Sequence, residues 1–354
     1  MNILDAHTIN TLDSQHMLSS IEVLEKQCLE AWNATTTAEL PPTYTDAHRM
    51  VWLGMGGSAL GIDVVKNLYS NEIPVPIEIV NGYAAPATVN EHTLVVLSSY
   101  SGTTEEVIEA AKDVLKKTKM VYIVTTGGDL EQLATDHNLP AYIFEPTFNP
   151  SNQPRMAIGY SVMATIGLFH TLRWITVTQQ DVEQMTSHLT SLHKQYGADV
   201  PDNTNLAKQL ATQMHEHISV IVSSEFLDGS AHVMANQTNE NSKQCTIRFQ
   251  IPEMDHFLLE GLQYPETKNL FFIFFTSGLY HKRNQLRHTI THDMVTQKGL
   301  PATQIALQGN TALEQAFELI LLGGYTSLYA AILNDIDPSP IPTVDYFKDE
   351  LKKA

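Results

Sequence analysis

Two short segments rich in glycine and hydroxyl side chains are the first candidates for chemistry in this sequence. The first is GMGGSALG at residues 54–61, and the second is SYSGTTEE at residues 99–106. Each follows a predicted strand and opens a predicted helix, so its backbone N–H groups and the helix dipole suit an anion. Together the hydroxyls and amides form a neutral, donor-rich cage that can hold a phosphate monoester without lysine.

Each turn taken alone also fits a simpler explanation. A strand-to-helix turn needs glycine in any case, and serine or threonine before a helix often serves only as an N-cap. The first turn lacks the Gly-Lys-Ser/Thr ending of a nucleotide P-loop. A dinucleotide site loses support because the next strand ends at Asn81, where that fold places an acidic ribose ligand. Two such turns in adjacent β-α units converge on one crevice, which favours the phosphate site.

The elements that must position these turns alternate between strands and helices. A helix is predicted over residues 14–33, and short, apolar, β-branched strands follow it. In the first half the predicted strands are residues 49–55, 75–80, 93–99, 120–126 and 141–145. The second half repeats the pattern, with strands at 217–226, 245–251, 269–277 and 303–308 and helices near 281–295 and 311–333. Repeated β-α-β units predict an α/β fold with parallel sheets covered on both faces.

Chain length and net charge limit the possible domain organisation and the possible binding partners. The 354 residues fit two domains at about 150 residues each. We place the boundary between 1–174 and 175–354, with a polar stretch at 188–205 between the halves and a shared apolar helix at 156–176. The formal net charge of −18 repels nucleic acid and anionic membranes, so neither is expected as a partner. The one local basic cluster, residues 281–288, is interpreted as a solvated helix face or an interface patch.

Cysteine usage and apolar runs indicate the compartment. Cys28 and Cys245 cannot form a disulfide framework or a structural zinc site, which favours the reducing cytoplasm, and both are expected to be buried. No secretory leader is expected, since the N-terminus lacks a basic segment followed by an apolar one. The run at 270–275 is too short to span a bilayer, and the run at 317–333 is interrupted by Glu318 and a Gly pair. Both are predicted to be core or interface.

The second turn carries a family resemblance. It has the form S-x-S-G-x-T-x-E, whose fixed positions are Ser99, Ser101, Gly102, Thr104 and Glu106. This pattern resembles the phosphosugar-binding loop of the sugar isomerase (SIS) family. From about residue 45 to the C-terminus, the chain resembles the bifunctional phosphoglucose/phosphomannose isomerases, with the segments GMGGSALG, SYSGTTEE, PRMAIGYSVMA, NENSK and FKDEL in family order. The resemblance implies two SIS domains, each a flavodoxin-like three-layer sandwich.

The resemblance also implies a reaction: interconversion of glucose 6-phosphate, and of mannose 6-phosphate, with fructose 6-phosphate. In that reading Glu240 of NENSK shuttles a proton through a cis-enediol, while His256 and Lys348 assist ring opening. Arg155 and the Gly57 N–H stabilise the enediolate oxygens. The residues expected to bind substrate are Gly56, Gly57, Ser58, Ser99, Ser101 and Thr104.

Without the resemblance, the four catalytic candidates have ordinary explanations. A glutamate near a helix end is usually solvated, a histidine after Asp255 is usually a cap or core residue, and lysines near a chain end usually face solvent. An arginine before a helix often lies over its N-terminus. The chain also departs from its relatives: the helix before NENSK carries His232 and no other cation, which leaves sugar orientation open.

The reaction needs no redox cofactor, and neither a cofactor nor a metal ion is predicted. His215 and His217 have no third ligand at a suitable spacing, so we reject a metal site there. The expected partners are a hexose 6-phosphate substrate and a second copy of the chain, since in relatives the histidine comes from the neighbouring subunit. Three alternatives remain: a non-catalytic SIS protein that senses sugar phosphates, a nicotinamide-dependent oxidoreductase and an amino-sugar synthase.

Overall fold

The structure, a computed structural model, describes residues 4–353, which divide into two units. Residues Val23–Ser187 form the N-terminal unit, and the chain up to Glu22 together with the chain from His188 onward forms the C-terminal unit. This division differs from the predicted one near residue 175, and it assigns the first helices to the C-terminal unit. Residues 1–3 and 354, which the predicted domain ranges include, lie outside the described residues.

Strands and helices alternate through both units. The strands are β1 (Arg49–Leu53), β2 (Ile77–Val80), β3 (Thr93–Ser99), β4 (Val121–Thr125), β5 (Ala141–Ile143), β6 (Ile218–Ser224), β7 (Thr246–Ile251), β8 (Leu270–Thr276) and β9 (Ala302–Ala306). The α-helices are α1 (Ala6–Leu12), α2 (Met17–Ile21), α3 (Leu24–Thr36), α4 (Gly57–Leu68), α5 (Glu105–Lys117), α6 (Gly128–His137), α7 (Ile158–Thr171), α8 (Gln179–Tyr196), α9 (Leu206–Met214), α10 (Asp228–Gln237), α11 (Leu258–Gly261), α12 (Lys282–Gln297), α13 (Ala312–Leu333) and α14 (Pro342–Leu351).

The sheet of the N-terminal unit has five parallel strands in the order β2-β1-β3-β4-β5. This is the flavodoxin-like order, in which ligands bind beyond the carboxyl ends of the strands. Alternate side chains of a strand point to opposite faces, and Val51, Val95 and Ile123 pack with residues of α5 and α6 in one apolar cluster. Every residue of β3 is buried, as expected for a central strand covered on both faces.

The C-terminal unit repeats this arrangement with four parallel strands in the order β7-β6-β8-β9. Val222 and Phe274 of the two central strands pack with Val295 of α12 in its core cluster. Helix α13 packs against α9 and α10. Each of the nine strands of the described chain lies inside its predicted range or begins within one or two residues of it. The predicted α/β fold is confirmed.

Helix α13 is a core helix. Among the described residues it has the length and hydropathy to cross a membrane, yet 94% of its most apolar stretch is buried within the fold. Of the two places predicted for 317–333, core or interface, the structure shows the core.

Three sequence-based expectations were wrong in detail. The helix predicted over 14–33 is interrupted at Glu22 and Val23, because α2 packs against α13 whereas α3 packs against α7 of the other unit. The polar stretch at 188–205 is not a linker throughout, since α8 continues to Tyr196 and buries Leu189 and Leu192. Both cysteines are free, but only Cys28 is buried, because Cys245 precedes edge strand β7 and is exposed.

A buried histidine links α12 to the sheet of the C-terminal unit. His288 is 1% exposed, and its Nε2 lies 2.9 Å from Oγ of Ser224 at the end of β6. Its ring stacks on Tyr280 with centroids 5.3 Å apart. Burial disfavours the charged imidazolium and lowers the pKa of His288 to about 4.

This lowered pKa predicts acid sensitivity of the fold. Between pH 6.5 and 4 the unfolded chain binds a proton at residue 288 that the folded chain does not. The free energy of unfolding therefore decreases as the pH is lowered from 6.5 to 4, by about 3 kcal/mol in total. His288→Gln should remove most of this loss of stability. The measurement is the difference between the free energies of unfolding that urea titrations give at pH 7 and at pH 4.5. The exposed His137→Gln is the matched control and should keep the wild-type loss; an equal loss in His288→Gln would contradict the prediction.

Candidate active site

The first glycine-rich turn connects β1 to α4 in the N-terminal unit. Gly56 adopts φ +47, a conformation that favours glycine, and α4 begins at the next residue. The Asn81 side chain at the end of β2 donates to the Gly54 carbonyl at 2.6 Å. Asn81, whose identity argued against a dinucleotide site, thus holds this turn in place. Ser58 in the first turn of the helix is half-buried and borders a small pocket with Gly57 and Ser161.

The second turn, between β3 and α5, pairs its hydroxyls. Ser99 Oγ lies 2.6 Å from Thr104 Oγ1 and accepts the Gly102 N–H at 3.0 Å. Ser101 Oγ lies 3.0 Å from Thr103 Oγ1. In each pair one hydroxyl donates to the other, which leaves one O–H to donate outward. Thr104 is the N-cap residue of α5 but makes no side-chain cap bond, so the simple N-cap explanation does not account for its hydroxyl.

A hydrogen bond joins the two turns. The Tyr100 N–H donates to Ser58 Oγ at 3.0 Å, and the strands that carry the turns pair through Leu53 and Leu97. Because Ser58 Oγ accepts this bond, its own hydrogen remains available for an anion. The N-terminal ends of α4 and α5 are therefore held side by side by the Ser58 hydroxyl.

Gly102 depends on a feature that the sequence interpretation missed. It has φ +71, and a Cβ at this position would lie 1.7 Å from the Gly127 carbonyl oxygen. The loop after β4 thus lies directly behind the hydroxyl-bearing turn, and the Leu130 N–H donates to the Gly102 carbonyl at 3.1 Å. The Gly-Gly pair at 127 and 128 after a predicted strand was the available signal for this contact.

Arg155 lies beside the first turn. It belongs to a short 3-10 turn (Pro154–Met156), is 2% exposed, and donates from Nη1 to Gln153 Oε1 at 2.9 Å. A Cβ at Gly57 would lie 3.2 Å from the Pro154 carbonyl and 3.3 Å from the Arg155 nitrogen. The arginine and the glycine turn therefore occupy one neighbourhood of the N-terminal unit.

Tyr100 holds the loop that carries this arginine and was not singled out from the sequence. Its phenol donates to Asn152 Oδ1 at 3.0 Å and accepts from Asn149 Nδ2 at 3.1 Å. Burial raises the pKa of Tyr100, so the phenol stays protonated and can donate at neutral pH. Its position inside the SYSGTTEE motif was the only sequence signal for this role.

Glu240 lies in a π-helical turn (Thr238–Ser242) that follows α10 in the C-terminal unit. Such turns are rare and often occur at functional sites. The residues around it anchor the backbone: Asn239 Nδ2 donates to the Thr246 carbonyl at 2.8 Å, and buried Asn241 Nδ2 donates to Ser327 Oγ at 2.9 Å. Glu240 itself is half-buried. The asparagines of NENSK therefore hold the backbone on both sides of Glu240.

Lys243 connects this turn to the segment before α14. It adopts φ +54, and its Nζ donates to the carbonyls of Asn241, Asp337 and Pro338 at 3.1, 3.0 and 3.1 Å. Lys348 lies farther on, on α14, a helix with no buried residue. The ammonium group of Lys243 is therefore held by three carbonyls, and both lysines are exposed residues.

His256 ends a 3-10 turn (Glu253–His256) and is exposed, so it is not a core residue. The preceding Asp255 is fixed by α12: its Oδ2 lies 3.0 Å from Arg287 Nη1, and its Oδ1 accepts from Thr291 at 2.8 Å. Glu240, His256 and Lys348 thus lie on three separate elements of the C-terminal unit.

Histidine, cysteine and acidic side chains form no group of three suited to a metal ion within residues 4–353. His215 follows α9 and His217 precedes β6, with the His217 Nδ1 2.9 Å from the His215 carbonyl oxygen.

Known proteins resemble the chain over most of its length. Residues 203–351 match the family model described as the bacterial phospho-glucose isomerase C-terminal SIS domain. A bifunctional phosphoglucose/phosphomannose isomerase from Caldicellulosiruptor bescii is 31% identical, covering 95% of this chain and 98% of the relative. One from Aquifex aeolicus is 28% identical, covering 91% and 96%. A solved hypothetical protein from Thermus thermophilus shares the fold, with TM-score 0.75 at 14% identity over 98% of this chain and 92% of that one.

Gly102→Ala tests the anion site of the N-terminal unit. The added Cβ would collide with the Gly127 carbonyl, so the hydroxyl-bearing turn must shift. We expect binding of inorganic phosphate to weaken by about tenfold or more, the effect of losing one charge-assisted hydrogen bond of about 1.5–3 kcal/mol. Isothermal titration calorimetry measures this, with circular dichroism as a check on folding. Gly82→Ala is the matched control because nothing lies within 4 Å of its added Cβ; unchanged affinity in Gly102→Ala would argue against the site.

Proposed function

Because the chain belongs to the family of bifunctional phosphoglucose/phosphomannose isomerases, we propose that it interconverts aldose and ketose hexose 6-phosphates. The aldoses are glucose 6-phosphate and mannose 6-phosphate, and the ketose is fructose 6-phosphate. The observation that carries this proposal is the joined pair of turns in the N-terminal unit, because it offers several neutral donors to one phosphate.

The phosphate is held by hydroxyls and amides. The proposed phosphate ligands are Ser58, Ser99, Ser101 and Thr104: Ser58 donates its O–H, and each of the pairs Ser99–Thr104 and Ser101–Thr103 has one O–H left to donate. Gly56 and Gly57 let the ligand approach the backbone. In a protein with a net charge of −18, a distributed field cannot attract an anion, so the donors must be local and oriented. The hydrogen bonds already present within the turn pre-orient them before substrate arrives.

Ring opening precedes the proton transfer. His256 acts on the ring oxygen, with Lys348 placed near the sugar to assist it. Both side chains are exposed, which leaves them accessible to substrate or to another copy of the chain.

Glu240 carries the proton between carbons. Its carboxylate removes the proton from C2 of the open-chain aldose, and the electron pair of that bond forms the C1–C2 double bond of a cis-enediolate. The C1 oxygen gains a proton, the C2 hydroxyl loses one, and Glu240 returns its proton to C1 to give the ketose. Arg155 and the Gly57 N–H stabilise negative charge on the enediolate oxygens as it develops.

The proposal includes a homodimer with shared active sites. An exposed histidine on a segment fixed by Asp255 suits delivery to a second protomer, because its backbone position is set without any contact made by the imidazole. Two free cysteines are consistent with the reducing cytoplasm as the compartment.

Glu240→Gln tests the base. The amide keeps the size of the side chain but cannot accept the carbon-bound proton, so kcat should fall by about 10²–10⁴ while KM for fructose 6-phosphate changes little. A coupled assay with each aldose in the presence of a metal chelator measures both constants. Exposed Glu266→Gln is the matched control and should keep wild-type turnover. Near-normal turnover in Glu240→Gln would remove Glu240 from this role, and wild-type binding without turnover of either aldose would favour a sensor protein.

Co-expression of Glu240→Gln and His256→Ala chains tests the shared site. If the histidine comes from the neighbouring protomer, each mixed dimer contains one site with both residues intact and one with neither. A statistical mixture should then recover about a quarter of wild-type activity, although each variant alone is nearly inactive. Recovery no greater than the sum of the separate variants would place Glu240 and His256 of one active site in the same protomer.

A further inference from the structure

Two separate segments of the C-terminal unit meet at the side chain of Lys243. The first is the π-helical turn Thr238–Ser242, which carries Glu240. The second is residues 334–339, which follow α13 and lead towards α14. We call residues 334–339 the connecting segment. Because the connecting segment leads to Lys348, a link between it and the turn joins the elements of two proposed catalytic residues.

The ammonium group of Lys243 makes this link through backbone carbonyls. It donates to the Asn241 carbonyl of the turn at 3.1 Å, and to the Asp337 and Pro338 carbonyls of the connecting segment at 3.0 and 3.1 Å. An ammonium group has three N–H donors, one for each of these oxygens. Hydrogen bonds from a charged donor are stronger than those between neutral groups, so the link is stronger than three amide–carbonyl bonds.

Further hydrogen bonds hold the connecting segment in place. Asn334 Nδ2 donates to the Ser242 carbonyl at 3.0 Å. Asp337 Oδ1 accepts the Ser339 N–H at 3.0 Å, and its Oδ2 accepts from the Ser14 hydroxyl at 2.5 Å. The connecting segment is therefore bound both to the turn that carries the carboxylate and to the loop between α1 and α2.

Helix α14 depends on the connecting segment for its position. It begins at Pro342, shortly after the buried Ser339, and none of its own residues is buried. A helix in a protein gains most of its stability from the packing of one face, and α14 lacks that contribution within the described chain. The placement of Lys348 is therefore set at the N-terminal end of α14, which follows the segment that Lys243 binds.

The backbone conformation of Lys243 gives its side chain a cost to offset. Its φ is +54, in the left-handed region, where glycine is unstrained and a residue with a Cβ is not. Residues strained in this way persist where the surrounding structure holds them, and they are concentrated at functional sites. The bonds of the ammonium group to three carbonyls are what a glycine at this position would not supply.

We propose that Lys243 is a positioning residue, whose ammonium group fixes the turn of Glu240 relative to the segment that leads to Lys348. The proposal rests on the proposed function, in which Glu240 moves the proton and Lys348 assists ring opening. In this role Lys243 needs no contact with the reacting atoms, because it acts through the placement of these two side chains. Misplacement by about 1 Å costs a reaction about 10²-fold in rate, so the link affects turnover more than binding.

Lys243→Gly tests the link. The substitution removes the ammonium group and also relieves the strained φ, so the variant should fold, as circular dichroism checks. We expect kcat for fructose 6-phosphate to fall by about tenfold to a hundredfold, while KM changes little because the proposed phosphate ligands belong to the other unit. Lys298→Gly is the matched control, since Lys298 is an exposed lysine that follows α12, and it should keep wild-type constants. A folded Lys243→Gly with wild-type kcat would overturn the proposal.

Chemical rescue separates lost positioning from a general loss of structure. Lys243→Gly removes the ammonium group from the three carbonyls together with its chain of methylenes, so a free primary amine has room to replace both. n-Propylammonium should therefore raise the kcat of Lys243→Gly severalfold. Tetramethylammonium, compared at equal ionic strength, has the same charge but no N–H, and it should leave kcat unchanged. Equal responses to the two cations, or no response to n-propylammonium, would overturn the proposal.

Hydrogen–deuterium exchange keeps this proposal distinct from the proposed function, because it needs no substrate. Peptides that cover the connecting segment should exchange faster in Lys243→Gly than in wild type, and n-propylammonium should slow that exchange again. A wild type that isomerises neither aldose, with exchange that still responds to Lys243→Gly, would contradict the proposed function but support the link. Wild-type exchange in Lys243→Gly, in an enzyme that isomerises both aldoses, would contradict the link but leave the proposed function intact.

Discussion

The hydrogen bond from the Tyr100 N–H to Ser58 Oγ is the interaction on which the proposed phosphate site of the N-terminal unit depends. It joins the turns at the ends of β1 and β3, so that two helix N-termini and their hydroxyls present donors to the same place. The phenol of the same tyrosine binds Asn149 and Asn152, which hold the loop leading to Arg155. One residue therefore couples the proposed phosphate donors to the proposed enediolate-stabilising cation. A protein with a strongly negative net charge needs such local order, because its overall field opposes an anionic ligand.

In the C-terminal unit, several hydrogen bonds hold the backbone around one carboxylate, that of Glu240. Asn239 and Asn241 bond to atoms of β7 and α13, and Lys243 bonds to three carbonyls, so the backbone around Glu240 is held from several directions. His256 and Lys348, by contrast, are exposed on their own elements.

Much of the fold was predictable because its signals are local. The strands are runs of apolar, β-branched residues that are buried on both faces, and the predicted limits of β3, residues 93–99, are the observed ones. Long-range packing explains the failures: α2 and α3 separate because each packs on a different unit, and α8 extends through a polar stretch because one of its faces is buried. The buried state expected for Cys245 failed for the same reason, since it depends on which strand lies at the edge of the sheet.

The sequence by itself determined the fold class, the order of the strands along the chain, the two donor-rich turns and the candidate residues Arg155, Glu240, His256 and Lys348. These follow from local composition and from motifs whose spacing is visible along the chain. Only the tertiary structure decided that Ser99 pairs with Thr104 instead of leaving Thr104 as a simple cap, that Gly127 lies behind Gly102, and that Tyr100 anchors the loop before Arg155. The reason is physical: the Ser99–Thr104 bond depends on the conformation of the turn, and the contacts of Gly102 and Tyr100 depend on how strands, helices and loops pack. The spacing of residues along the chain specifies neither.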